Sequence, residues 1–374
     1  MIVDPRSGRA ERADVGVKDG VVDAVGDVAR RADRVLDARG DYASPALVDL
    51  HSHVYHLGTS LGVDPDWVAS RWGTGVFVDA GSSGAGNFAG FREHVIKRSA
   101  ARVYAFLNIG FGGIPFFGIR GGEQGGEVPD MRVADEDACA ECIEGNRDYL
   151  VGVKVRVSEN ANAPLGLDLV RAAKRCAGRA RVPLMVHFGR PPPSLKDVVP
   201  LLGEGDILTH AFRPEPNSII GEGGRVAREV VDARRRGVVF DVGHGSGSFS
   251  YETARAALAD GFRPDTISTD LHALSLPSPV ESLEATMTKL LCLGMTAEEV
   301  ITAVTSAPAR AIGRPEHGSI EVGRPADIVT LRVSPTRREL KDSTGRRMAF
   351  DREVRAVLRL KGRDVSTLGG GPRP

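Results

Sequence analysis

The sequence predicts an α/β protein: a (β/α)8 TIM barrel at residues 45–317 with a small β-sandwich domain built from both chain ends, 1–44 and 318–374. Three observations lead there. Eight short, Val/Ile/Leu-rich segments recur between residues 46 and 270, with helix-patterned stretches between them. Their starts are spaced by roughly 20 to 50 residues, as strand–helix units are. The two chain ends instead alternate apolar and polar residues, carry Gly turns and lack intervening helices. A chain of 374 residues is long for one compact domain and suits a large barrel with a small companion.

In chain order, "ERADVGVKDGVVDAVG" reads as short antiparallel strands, and the first strand of the brief 1–44 part reads as clipped or mis-started. The barrel strands are then "ALVDLH" (46–51), "GVFVDA" (75–80), "RVYAFLNI" (102–109), "VGVKVRVS" (151–158), "PLMVHFG" (183–189), "DILTH" (206–210), "GVVFDVG" (237–243) and "DTISTD" (265–270). Most are apolar without clean alternation, the pattern of strands buried on both faces. "FAGFREHVIKRSA", "LDLVRAAKRCAG" and "GRVAREVVDARRRG" supply helices between them. After the barrel, "LPSPVESLEATMTKLLCLG" predicts a helix capped by Ser278, with Pro279 first and Glu281 three after the cap. "TAEEVITAVTSAPARAIG" repeats the device with Thr296 and Glu299. "GSIEVGRPADIVTLRV" returns to short antiparallel strands.

Composition removes several classes of function. Lys+Arg and Asp+Glu both number 49, for a net charge of zero, which argues against a nucleic-acid partner. No polybasic patch or membrane-length apolar run points to a membrane, and the N-terminus has no signal-peptide core, so a cytoplasmic protein is expected. No self-similar repeat suggests a solenoid binding module. Four cysteines in this length are no disulfide framework. Cys139 and Cys142 form a Cys-x-x-Cys, but it lies in the helix-patterned "ADEDACAECIEGNRDYL" with no second pair, and reads as two small residues on one buried helix face.

The chain has nine histidines, and "LVDLHSHVYH" (47–56) holds three of them. His51 ends the first strand and His53 lies two residues on, so the two point the same way at the carboxyl end of the barrel, where barrel enzymes place their chemistry. His-x-His alone is a weak sign of a metal site. The other strand ends strengthen it. Strand five ends at His187, strand six at His210 and strand eight at Asp270, while strand four carries Lys154 inside an apolar run. Four imidazoles and a carboxylate exceed the needs of one tetrahedral zinc with an open position and suit two nearby metals. Lys154 needs an account of its own, because a buried unpaired ammonium is costly and repels cations. Either it pairs with a carboxylate or points outward, or it has reacted with carbon dioxide to give an anionic carbamate that bridges two cations.

The order His-x-His, Lys, His, His, Asp on strands one, four, five, six and eight resembles the binuclear members of the amidohydrolase superfamily, such as dihydroorotase, hydantoinase and phosphotriesterase. The likeness covers nearly the whole chain: "SPALVDLHSH" is similar to the family's strand-one signature, and "GSIEVGRPADIVTL" to its C-terminal signature. "GVKVRVSEN" and "FDVGHGSGSFSYE" resemble more narrowly a branch of deacetylases and dihydroorotase-like proteins that remove acetyl groups from small acids. The resemblance implies two divalent ions, zinc by expectation. His51, His53 and Asp270 would bind the more buried one and His187 and His210 the more exposed one, with N6-carboxylated Lys154 and a hydroxide bridging them. That hydroxide would attack an amide or ester carbonyl of a small-molecule acid, and Asp270 would take its proton and pass it to the leaving group. A cyclic-amide hydrolase is the alternative. A mononuclear deaminase would not need Lys154, and a non-catalytic hydantoinase-like scaffold would have lost ligands that are all present here. Substrate, bond type and self-association into a homo-oligomer are left open.

Arg156 shares the facing of Lys154 and is expected either to hold a substrate carboxylate or the developing oxyanion, or to pair with a neighbouring acid. In "GHGSGSF" (243–249), Gly245 lets backbone approach a ligand and Ser246 could donate to it. His244, His272 and His56 read as supporting rather than ligating. The Gly-rich, aromatic loop 110–127 reads as a lid or pocket wall.

Overall fold

A computed structural model describes residues 1–3, 8, 10–28, 32–38, 40–114, 127–162 and 165–369. Seven parallel strands form one curled sheet: β1 (Leu47–Ser52), β2 (Thr74–Gly84), β3 (Arg102–Asn108), β4 (Leu150–Val157), β5 (Leu184–Phe188), β6 (Ile207–Thr209) and β7 (Val239–Phe240). Each pairs with its neighbour in sequence, so the order is β7-β6-β5-β4-β3-β2-β1. Parallel neighbours require crossovers, and helices such as Pro65–Trp72, Glu136–Glu144, Gly166–Ala180 and Arg228–Arg235 supply them outside the ring. Their apolar faces, with the outward residues of the strands, make the larger core.

The eighth segment departs from expectation. Residues 265–270 form no ladder; they close the ring through single parallel bridges, Asp241 to Thr266 and Ser52 to Leu271. Backbone bonds from Asp270 N to His51 O and from Gly245 N to Thr269 O tie the segment to both sides. β7 is likewise only two residues long. At this seam the polar side chains of Asp49, Asp241, Thr266, Ser268 and Thr269 bond one another and the backbone, in place of a regular ladder.

The lower interior is apolar. Val48, Leu50, Val76, Val78, Phe106 and Met185 meet there, plugged by Ala309 and Ile312 from the helix Ser306–Ala311 and its end. Above this plug the interior turns polar. A register irregularity between Asp49 and Ser52 re-aims β1, bringing His51 to the side on which Val48 and Leu50 lie.

Strands from both chain ends share a second sheet, ordered Asp364–Thr367, Arg352–Lys361, Asp327–Pro335, Tyr42–Pro45, Ile2–Val3 and Ala10–Glu11. The hairpin Asp14–Lys18/Val21–Gly26 packs against it through Val22, Ala326 and Ile328. Its turn is Asp19–Gly20, both at positive φ, which is the I′ turn that suits strand twist. "GSIEV" is not a strand; the regular strand starts at Asp327. A further hairpin, Glu339–Lys341/Arg347–Ala349, leaves this sheet and reaches the barrel.

Thr296 and Glu299 form the expected capping box. Ser278 does not cap the preceding helix. That helix is Leu283–Cys292, and Ser282 caps it by accepting from Ala285 N. Glu281 sits at positive φ, 64°, which a right-handed helix cannot include, and the Pro279 carbonyl accepts from the buried Lys289 ammonium instead. Cys139 and Cys142 lie on the helix Glu136–Glu144 as free thiols. Among the described residues no helix is long and apolar enough to cross a membrane.

Candidate active site

His51 Nδ1 lies 2.7 Å from Thr209 Oγ1, and Thr209 donates to Asp241 Oδ2 at 2.7 Å. A hydroxyl whose proton is given to a carboxylate must accept from the imidazole, so the network assigns the proton of His51 to Nδ1 and leaves Nε2 bare. His53 Nδ1 is 2.8 Å from Ser82 Oγ, with its Nε2 turned to the centre. Both Nε2 atoms stand 3.3 Å from Asp270 Oδ1. One ligand atom from each of the three residues lies within 4.8 Å of the others.

A second pair faces them. His187 Nδ1 and His210 Nε2 are 2.7 Å apart, and His210 Nδ1 donates to the Gly243 carbonyl at 2.6 Å. The rings of His51 and His210 are 5.0 Å apart, so the two groups adjoin at one end of the barrel. Burial is the main force that holds these imidazoles neutral: His51 and His187 titrate well below the ordinary value and His210 at about 3, with the Lys154 charge pushing in the same direction. Burial would raise the Asp270 carboxyl, and positive charge at the facing His51 and His53 positions lowers it well below the ordinary value; with the His51 imidazole neutral, a bound cation would supply that charge.

His210 and Asp270 both sit at positive φ, 69° and 49°. Left-handed backbone at a non-glycine residue costs about 1–3 kcal/mol and persists where the surroundings impose it. The Gly243 carbonyl fixes His210, and Asp270 N donates to His51 O at 2.6 Å.

Lys154 is 3% exposed, and its Nζ lies 3.3 Å from His51 Nε2 and 3.1 Å from the Ala80 carbonyl that accepts from it. No carboxylate of the described residues is within salt-bridge distance of it, so it is neither outward-pointing nor ion-paired. Burial lowers its pKa, against the pull of Glu127, Asp270 and Asp79. Gly81, at φ +87°, makes room: a Cβ there would stand 2.8 Å from Lys154 Cβ and Cγ.

The donor set fits divalent metal. The bare His51 Nε2, 3.3 Å from the Asp270 carboxylate oxygen, repels it unless a cation stands between them, and His53 Nε2 stands at the same distance from that oxygen; neutral imidazole and ionised carboxylate are the ligand states zinc requires. Thr209, Asp241 and Ser82, which orient the histidines, were not legible in advance. They are ordinary polar residues in strand-like runs, and only their bonds to imidazole reveal them.

The remaining rim residues are placed as follows. Arg156 pairs with Glu127 at 3.4 Å and reaches Asn160 Oδ1 at 3.5 Å. Gly245 is buried against Asp270, while Ser246 is exposed at the loop tip. His272 is buried with its ring 6.2 Å from that of His53, and its Nδ1 accepts from Leu274 N. His244 is fully buried behind the loop. His56 is exposed and stands apart from the cluster. Most of the expected lid, 115–126, lies outside the described residues.

Comparison with known proteins agrees with this geometry. The model of the amidohydrolase family matches residues 42–363. A deacetylase of Agrobacterium fabrum is 38% identical over 329 residues, spanning 87% of this chain and 80% of its own. The crystal structure of a dihydroorotase superposes with a TM-score of 0.87 at 34% identity, covering 96% of this chain and 93% of that one. That of an adenine deaminase does so with a TM-score of 0.88 at 28% identity, covering 95% of each.

Proposed function

Because the chain belongs to the amidohydrolase family, we propose that it is a metal-dependent deacetylase, which hydrolyses the amide or ester that links an acetyl group to a small acid. The observation that carries this reading is the convergence of His51, His53, Asp270, His187 and His210 around the buried amine of Lys154 at one barrel mouth. His51, His53 and Asp270 would hold one divalent ion, by proposal zinc, and His187 and His210 a second. Lys154, carboxylated on its amine, would offer an oxygen to each. When bound, the two ions supply the Lewis acidity that makes water nucleophilic at neutral pH and polarises a carbonyl.

The chain's own residues perform the rest. Thr209 and Ser82 hold the His51 and His53 rings with their Nε2 atoms aimed inward. Asp270, ionised at the mouth, accepts the proton of the attacking water and returns it to the leaving nitrogen or oxygen. Arg156, braced by Glu127, would meet the substrate carboxylate. Gly245 and Ser246, on the loop beside Asp270, would line the substrate's other side. A cytoplasmic location and a small-molecule substrate complete the proposal.

The test is turnover by the zinc- and bicarbonate-loaded protein on N-acetyl amino acids, O-acetyl hydroxy acids, hydantoins and dihydroorotate. Hydrolysis confined to the acetylated acids is expected. Turnover of dihydroorotate or a hydantoin alone would replace this reading with a cyclic-amide hydrolase.

A further inference from the structure

Lys289 lies in the helix Leu283–Cys292 and is 0% exposed, at a position where an aliphatic side chain would fill the space at no cost in desolvation. Its Nζ is 2.8 Å from His244 Nε2 and donates at 2.7 Å to the carbonyls of Pro279 and Lys341. His244 Nδ1 lies 2.9 Å from the Gly245 carbonyl, which can only accept, so Nε2 is the bare nitrogen and accepts from Lys289. An ammonium has three donors, and here each has an acceptor. The acceptors come from three separate elements: the loop after β7, the approach to the helix, and the 339–349 hairpin.

The hairpin grips the same loop at further points. Ser343 Oγ donates to the Gly245 carbonyl at 2.8 Å, and Phe249 N donates back to Ser343 Oγ at 3.2 Å. Tyr251 N donates to Asp342 Oδ2, and its hydroxyl to the Leu340 carbonyl, both at 3.0 Å. The His244 ring stacks on Phe249 at 4.5 Å.

What this joint holds is the back of the candidate site. The Gly243 carbonyl orients His210. Gly245, at φ +54°, donates to the Thr269 carbonyl at 2.8 Å and approaches Asp270 so closely that a Cβ would stand 2.4 Å from Oδ2. A shift of the loop by a few tenths of an ångström therefore moves a histidine and the carboxylate together.

We propose that Lys289 is a positioning residue, which with His244 and Ser343 locks the 243–251 loop behind His210 and Asp270 and so couples the 339–349 hairpin to turnover. The proposal rests on the reading of His210 and Asp270 as site residues. The charged groups facing the ammonium are Glu281 and Asp342, which favour it, and Arg338, which opposes it; burial lowers its pKa to about 7.

Lys289→Met and Ser343→Ala test the joint in the full chain loaded with zinc, and again with cobalt chloride as a spectroscopic probe. For Lys289→Met, kcat should fall on the order of 10²-fold, the loss that a small misplacement at a site produces. KM should stay within about 3-fold, because the interaction lost serves the transition state. Ser343→Ala should fall less, in the same direction. The visible absorption of the cobalt-loaded protein should change in both variants, which loss of stability alone would not cause. Wild-type kcat and wild-type cobalt spectra in both folded variants would overturn the proposal. If Lys289→Met does not fold, the cobalt spectrum and kcat of Ser343→Ala decide it. Asp270→Asn run in parallel separates the two levels: full activity there removes the site reading itself, whereas its loss beside unchanged Lys289→Met and Ser343→Ala proteins overturns the joint alone.

Discussion

Thr209 Oγ1 receives the proton of His51 Nδ1 at 2.7 Å and gives its own to Asp241 Oδ2 at 2.7 Å. This relay crosses from β1 to β6 and to Asp241 just past β7, and it fixes the ring of the first histidine. Groups that orient a ligand in this way are typically worth about 10- to 100-fold in metal affinity. Thr209→Val keeps the volume and removes the relay, so it should weaken zinc binding by that order with the barrel intact. Competition against a chromophoric chelator measures it, and wild-type affinity would mean that the His51 ring is held by packing instead.

Among the described residues, Asp270 is the one carboxylate that faces both His51 and His53. Asp270→Asn should preserve the thermal transition and lower turnover by at least ~10²-fold, the lower range for proton-transfer catalysis. A near-normal rate in the folded variant would assign the base to another group.

Lys154 is buried with an imidazole and a carbonyl for partners and no carboxylate among the described residues within salt-bridge distance. An ammonium there would repel two cations; a carbamate would join them. Lys154→Ala should therefore bind fewer than two equivalents of zinc and lose most activity. Formate, acetate or bicarbonate should restore part of both, and longer carboxylates should not. Wild-type protein prepared with carbon dioxide should carry one added carbon dioxide at Lys154. A bare amine in protein that holds two zinc ions per chain would refute the carbamate.

Glu284 lies far from this chemistry, on the helix Leu283–Cys292, where Oε1 accepts from Ala356 N at 3.0 Å. Burial raises its carboxyl from 4.5 to about 8, against the pull of Arg355 and Arg338. Between those values the folded state keeps a proton that the unfolded state has released, so stability contributed here is present at low pH and is lost as pH rises toward about 8. Glu284→Gln keeps the acceptor and removes the titration. Its thermal midpoint should gain on the wild type steadily from about pH 5 to about pH 8, and a gap independent of pH would contradict the assignment.

The barrel, the sheet joining both chain ends and the six residues gathered at the mouth were legible along the chain. Strand ends are local features: an apolar run that stops at His51, His187 or His210 reads as a buried strand with a polar tip wherever it stands in the chain. The alternation and Gly turns of the chain ends are equally local, and so is the Thr296–Glu299 capping box. The rest depends on partners remote in sequence. The eighth segment lost its ladder because Asp241 and Asp49 gather its side chains from β7 and β1. The helix cap moved from Ser278 to Ser282 because Glu281 takes left-handed backbone, with the Pro279 carbonyl turned to Lys289. Thr209 and Ser82 became ring-orienting groups only when the strands beside them delivered His51 and His53, since a hydroxyl carries no sign in sequence of which imidazole it will meet. Hydrophobic periodicity is written residue by residue along the chain, whereas a hydrogen bond between distant groups exists only once packing has set their distance.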